Sequence, residues 1–472
     1  MKRYLFMLLA LFTVVSASAL NADEASIVQD KTNNTHISSS CVLSSDTNTF
    51  HGVLNGANYT IAVPADWNGT LLLYSHGYTF ANQPLDNPAP DASDSLSGAT
   101  LLQQGYALAG SSYSQNGWAI QQALHDQMAL LDYFDATCGR PVRTIAWGDS
   151  LGGMITAALV QLYPERFSAA LPMCGVLAGG IGTWNAALDS AFAFNVLLAG
   201  NKLPIVHITN PPDTLKQATA LLASAQQSVQ GKARIALIAA LSDVPGWFQI
   251  GSPQPASNDF AAQEQNQYLW ESQVDFAFAF AARAELEARA GGNVSWNTNV
   301  DYFRQLLLSA DHPEVENLYR QAGLNLFQDL ARLDATSRVA ADPRAVAYLN
   351  RYITFNGDVD VPTLTMHTMG DGLVPNEEEQ AYASAARQWW GTDLLRQVFV
   401  NRAGHCAFTS AEKITAMQTL VKRLNTKRWG ALTDPALMNG EAAALGATLN
   451  RFQPAFLNFY PAPFLRPFNG HP

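Results

Sequence analysis

The chain has 472 residues, 48% of them apolar and only 14% charged, which supplies a large packed core and argues against a disordered chain. Its formal net charge is −11, and no cluster of Lys and Arg stands out. Nucleic acid and anionic lipid are therefore excluded as expected partners, since phosphate recognition draws on grouped cations. The length leaves room for one domain with a sizeable insertion or for two.

The first nineteen residues predict an export signal: Lys2 and Arg3, an apolar run from Tyr4 to Val15, then Ala17-Ser18-Ala19 as a small-x-small cleavage site. The apolar run is shorter than the roughly 20 residues of a membrane-spanning helix, and no cysteine follows closely enough to take a lipid anchor. A secreted or periplasmic protein, not a membrane-spanning one, is expected. Four cysteines, Cys41, Cys138, Cys174 and Cys406, then suggest two disulfides with three possible connectivities. No CxxC or Cys/His spacing points to zinc.

After a polar stretch over 21–40, short strands are predicted at "NYTIAVP" (58–64) and "GTLLLYSHGY" (69–78), the latter an apolar run suited to a fully buried strand. A Pro- and Asp-rich loop leads to a helix near 98–104, a strand at 106–114, a helix over about 118–135 and a strand at 142–148. Residues 151–163 read as a helix ending before Pro164, and 167–175 as the next strand. Strands alternating with helices require a mostly parallel sheet covered on both faces. From about 176 to 356 the pattern turns helical throughout, which reads as a cap or lid inserted into the sheet domain. The sheet pattern resumes at 361–375, with a helix at 376–390, a strand ending near Val400 and a final amphipathic helix. The Pro- and Phe-rich end, 451–472, reads as an extended arm laid across the body.

The segment "RTIAWGDSLGGM" (143–154) places Ser150 in three overlapping patterns. As Gly-Asp-Ser-Leu it suggests a GDSL-type esterase, but that serine belongs near the start of the mature chain, with an Asp three residues before its His. Here Arg402 stands three before His405, and Phe468 three before His471. A trypsin-like reading lacks contiguous Gly-Asp-Ser-Gly-Gly and an all-β pattern. Gly148-x-Ser150-x-Gly152 fits a nucleophile elbow: a buried strand, a tight turn that lifts the serine, and a helix start behind it. Such an elbow requires an acid after a later strand and a histidine after the last. Asp371, in "TLTMHTMGDGLVP", and His405, in "QVFVNRAGHCAF", meet that order. Asp358 and Asp360 precede their strand and would sit at the wrong sheet edge.

On these motifs the chain resembles the α/β-hydrolase superfamily over about 55–175 and 357–425, and within it the secreted, capped carboxylic-ester hydrolases. The resemblance implies an α/β-hydrolase fold, with core residues 20–175 and 357–472 and a helical cap at 176–356. It implies Ser150 as nucleophile, His405 as base and Asp371 as its orienting acid. The N–H of Leu151 and, from the His-Gly-x match at 76–78, that of Tyr78 would form the oxyanion hole. His76 would shape that loop, and Asp149 is given no role. Cys174 and Cys406 would both lie at the sheet edge beside the site, so a Cys174–Cys406 bridge would clamp the histidine loop and leave Cys41–Cys138. Secreted feruloyl esterases and tannases join the neighbours of Ser and His by a disulfide; this sequence has Asp149 where that cysteine would stand.

The reaction implied is acyl transfer to water with no metal or organic cofactor. The expected substrate is an apolar, aromatic or polyester-type carboxylic ester, and the oligomeric state is open. The stripes "SAFAFNVLL", "VPGWFQI" and "VDFAFAFAA" would either line the pocket or, more commonly for such stripes, form the cap's own core. Rival readings are a prolyl-type serine peptidase of the same fold and a non-catalytic binding protein on a hydrolase scaffold.

Overall fold

The computed structural model describes Cys41, residues 46–388 and residues 393–468. The expected export signal, the polar stretch over 21–40 and the last four residues, His471 among them, lie outside the described residues.

Among the described residues nine strands form one sheet: β1 (Asn48–Leu54), β2 (Ala57–Val63), β3 (Thr70–Ser75), β4 (Ala107–Ser111), β5 (Arg143–Asp149), β6 (Ala169–Met173), β7 (Thr363–Gly370), β8 (Leu395–Ala403) and β9 (Phe456–Leu457). Their order is β1-β2-β4-β3-β5-β6-β7-β8-β9. Pairing from β4 across to β8 is parallel; β1, β2 and β9 run antiparallel at the edges. This is the α/β-hydrolase fold.

Successive side chains of a strand point to opposite faces, and β3 shows what that demands when both faces are covered. Leu71 and Leu73 enter the core on one side with Ala123, Leu130 and Phe134 of the helix Ile120–Cys138. Leu72 and Tyr74 enter the core on the other, with Met417 and Leu420 of the helix Ser410–Thr426. Hence the unbroken apolar run where a one-sided strand would alternate.

No strand interrupts the described residues between β6 and β7; nine α-helices fill that interval, from Gly179–Leu197 to Pro343–Ile353. They enclose a core of their own, in which Phe192, Phe194, Phe276 and Phe280 are buried. Ile181, Trp184, Leu286 and Leu349 instead join the core beneath the sheet, so the helical layer is rooted in it.

Two features differ from the sequence reading and one agrees with it. β1 was not expected; its residues alternate half-buried with exposed along the strand and none is fully buried, too weak a pattern to stand out. Within the interval read as helical throughout, regular α-helix is interrupted by π-helical turns at Glu271–Asp275 and Phe278–Ala282. The arm at 451–468 does cross the body, pairing as β9 with β8 and burying Phe464 and Arg466. Arg466 forms a buried ion pair with Asp189 of the helical layer and donates to the Trp296 carbonyl at 2.6 Å.

Candidate active site

Ser150 follows directly on β5. Its φ of +58° lies in the left-handed region, a strained conformation for a residue with a Cβ. The turn holds because Gly148 and Gly152 press against the Ser75 carbonyl, where a Cβ on either would collide. The Ser150 amide is tied to the Met173 carbonyl of β6 (2.9 Å). The helix Leu151–Leu162 starts at the next residue, so the Leu151 N–H has no carbonyl four residues back to bond. A Cβ on Gly77 would come within 3.3 Å of the Ser150 Cβ, so the 76–78 loop backs directly onto the serine. Gln127 fixes its base, donating to the Tyr74 carbonyl (2.6 Å) and Ser75 Oγ (2.8 Å). His76 stacks on Tyr113, which donates to the His76 carbonyl at 3.0 Å. Asp149 accepts a hydrogen bond from the Tyr74 hydroxyl (2.9 Å).

Asp371 follows β7 with no accessible surface. The glycines on either side are required: a Cβ on Gly370 would strike the Trp247 carbonyl, and one on Gly372 the Trp270 ring. The acid loop is thus pressed against the helical layer. His405 follows β8 through Gly404 (φ +100°). That loop is held by the Gly404 amide on the Gly370 carbonyl (2.7 Å), by Thr368 Oγ1 on the Gly404 carbonyl (2.7 Å) and by the Cys174–Cys406 disulfide. The second disulfide is Cys41–Cys138. Arg402 is turned away and paired in bidentate fashion with Glu412 (2.7 and 3.0 Å).

The three side chains that the sequence separates by up to 255 positions meet. His405 Nε2 lies 2.7 Å from Ser150 Oγ, and His405 Nδ1 lies 2.7 Å from Asp371 Oδ2. Asp371 Oδ1 accepts the Val374 N–H at 3.1 Å. Burial alone would raise the Asp371 carboxyl, but the adjacent His405 and His367 outweigh it and hold the group well below the usual carboxylate range. An ionised acid at Nδ1 fixes the imidazole tautomer with its free nitrogen toward Ser150, which is the arrangement that can take the hydroxyl proton.

A cavity of about 290 Å³ opens onto Ser150 and His405. Its lining is largely apolar, including Tyr78, Trp118, Trp184, Val244 and Phe278. Of the aromatic stripes, Phe278 reaches this cavity, whereas Phe192, Phe194 and Phe276 are core of the helical layer. Three carboxyls that the sequence did not single out, Glu271, Asp275 and Glu378, also border it. Burial pushes Glu271 and Glu378 up to about 7 and Asp275 well above its ordinary value. Ser190 donates to Glu271 (2.9 Å), and Glu378 accepts from Thr183 Oγ1 (2.7 Å) and the Ala178 N–H (3.0 Å). Glu271 and Asp275 show in the sequence only as acids within an otherwise apolar helical stretch, and Glu378 only as one of three consecutive acids at a helix start.

The described residues contain no helix long and apolar enough to cross a membrane. No family model matches the chain. It is 29% identical over 428 residues to an o-phthalyl amidase of Xanthobacter agilis, covering 83% of this chain and 90% of that protein. Among solved structures it is similar to feruloyl esterase B of Aspergillus oryzae (TM-score 0.40, 13% identity, 81% of this chain and 82% of that one). It is also similar to the rice cell wall degrading esterase LipA of Xanthomonas oryzae (TM-score 0.35, 15% identity, 79% and 86%). A third similarity is to an acylaminoacyl peptidase of Pyrococcus horikoshii (TM-score 0.38, 9% identity, 81% and 42%). The strand order carries the fold: this chain has the α/β-hydrolase fold, and the proteins it is similar to are named as esterases, an amidase and a peptidase.

Proposed function

We propose that this protein is a serine hydrolase that cleaves carboxylic esters with an apolar or aromatic acyl group through an acyl-enzyme. The observation that carries the reading is the continuous hydrogen-bonded line from Ser150 Oγ through His405 to Asp371 at the mouth of an apolar cavity. As Ser150 Oγ attacks the carbonyl carbon, His405 Nε2 takes its proton, and the imidazolium so formed is stabilised by Asp371. The carbonyl oxygen becomes an oxyanion, received by the N–H groups of Leu151 and Tyr78, each worth about 3 kcal/mol of the barrier. His405 returns the proton to the departing oxygen, leaving an acyl ester on Ser150. Water then gives its proton to His405 and attacks the same carbon; collapse releases the carboxylic acid and restores the serine.

The helices at 176–356 act as a cap that walls the acyl chamber. Two disulfides suit an oxidising compartment, in keeping with export and a secreted or periplasmic location. A second reading, hydrolysis of aryl amides by the same steps with nitrogen as leaving atom, is favoured by the 29% identity to an amidase.

A fluorophosphonate probe tests the class: one adduct per chain is expected, absent in Ser150→Ala. Turnover of phenyl benzoate and of benzanilide, measured side by side, tests the leaving atom. The ester is expected to be the faster substrate. Benzanilide turned over with higher kcat/KM would replace the ester reading by the amide one, and an unlabelled native chain would end both.

A further inference from the structure

A second histidine lies beneath the acid of the Ser150 site. His367, in the middle of β7, has no accessible surface, and both ring nitrogens face oxygen atoms. Nε2 lies 2.8 Å from the Val374 carbonyl and 3.5 Å from Asp371 Oδ2. Nδ1 lies 3.2 Å from Glu379 Oε1. A carbonyl oxygen only accepts, so Nε2 must carry a hydrogen. On the other side, Glu379 Oε2 already receives the Thr365 hydroxyl and the Gln397 amide, each at 2.5 Å. With Oε2 accepting two hydrogens, Glu379 faces Nδ1 through Oε1, and the charge-assisted form of that contact places a hydrogen on Nδ1 as well.

We infer that His367 is a doubly protonated imidazolium held between Asp371 and Glu379, a positioning residue that keeps Asp371 ionised and offsets part of its charge toward His405. The inference rests on the catalytic reading above for its consequence, though not for the protonation state itself. Burial alone would lower the His367 ring; its bonds to Asp371 and Glu379 outweigh that and push it up to about 10. The other ionisable groups facing it are Glu377 and Glu378, raised by burial to about 8 and about 7, and beyond Asp371 lie Asp275 and His405. By itself the assembly of Asp371, His367 and Glu379 carries a net single negative charge. A bare Asp371 with an unpaired Glu379 would carry two, and would favour the protonated, inactive form of His405 more strongly. The imidazolium therefore reduces the negative potential that Asp371 presents to His405.

The test has two arms. In the native protein labelled with nitrogen-15 histidine, both His367 nitrogens are expected to give protonated signals throughout pH 5.5 to 8.5, a range set about the ordinary imidazole value, assigned by their loss in His367→Gln. A signal from an unprotonated ring nitrogen at pH 7 that disappears in His367→Gln would overturn the inference, with His367→Asn serving for the assignment should the first variant not fold. In the second arm, His367→Gln is expected to move the acidic limb of kcat/KM upward by about one pH unit, the size of an effect from one charge at close range in a medium of intermediate dielectric. His367→Gln with Glu379→Gln, which removes the stranded charge too, is expected to move it back. An acidic limb that stays put in a folded His367→Gln, or one that the second substitution fails to restore, would refute the charge offset. Full turnover by Ser150→Ala would instead sink the catalytic reading and leave the nitrogen signals as the measure of His367.

Discussion

Replacing Glu314 by glutamine should make the protein more stable at pH 8 while leaving it nearly unchanged at pH 5. Glu314 lies in the helix His312–Ala322 with 1% of its surface exposed. One carboxyl oxygen accepts Gln267 Nε2 at 3.0 Å and the other has no partner. Burial, reinforced by Asp311, pushes the group up to about 9 from 4.5. The folded chain thus keeps the proton over a range in which the unfolded chain releases it. The unfolded state binds fewer protons there, so stability falls as pH rises from 4.5 toward 9. The slope is about 1.4 kcal/mol per pH unit for one such group, or roughly 4 kcal/mol between pH 5 and 8. Glutamine keeps the neutral shape at every pH, and its side-chain oxygen can still accept Gln267 Nε2. Glu264 and Asp311, raised to about 7 and about 6 by burial, add slope of the same sign to both proteins at the lower end. Asp371, being depressed, contributes in the opposite sense, and that contribution is already complete by pH 5. Thermal unfolding of both proteins at pH 5, 6, 7 and 8 should show a Tm gap that widens to several degrees at the alkaline end. A gap that is constant with pH, or that favours the native chain at pH 8, would refute the reasoning.

Gly152→Ala should lower Tm by an amount equivalent to about 1–3 kcal/mol and sharply reduce turnover, because its Cβ would meet the Ser75 carbonyl at the turn carrying Ser150; native Tm and rate in this variant would contradict the turn geometry. Arg466→Met should cost about 3–5 kcal/mol by stranding the buried Asp189, and chemical denaturation should show much of that returned by adding Asp189→Asn.

The sheet was legible because each of its central strands is a short apolar block and each crossover carries its own helix periodicity. Edge strands β1 and β9 were not, the first for its shallow alternation, the second because two residues leave no pattern. Ser150, Asp371 and His405 were legible for a different reason: each sits in a glycine-marked turn after a strand, so local sequence betrays a position set by backbone geometry. His367 and Glu379 carry no such mark. A histidine within "TLTMHTMG" looks like one polar residue in a buried strand, and only tertiary packing gives it two acidic partners. The same holds for Glu271 and Asp275, whose wall position follows from π-helical turns that helical periodicity cannot foretell.

The C-terminal arm has a consequence for the order of assembly. Asp189 is surrounded early by groups of the helical layer: Tyr302 and Gln305 reach it at 2.8 and 2.9 Å. Its counter-ion, Arg466, is made 277 residues later, almost at the end of the chain. Every helix of that layer precedes in sequence the cation that neutralises this aspartate. Closure of the layer over the cavity therefore depends on docking of the arm, which brings the cation that the buried Asp189 requires.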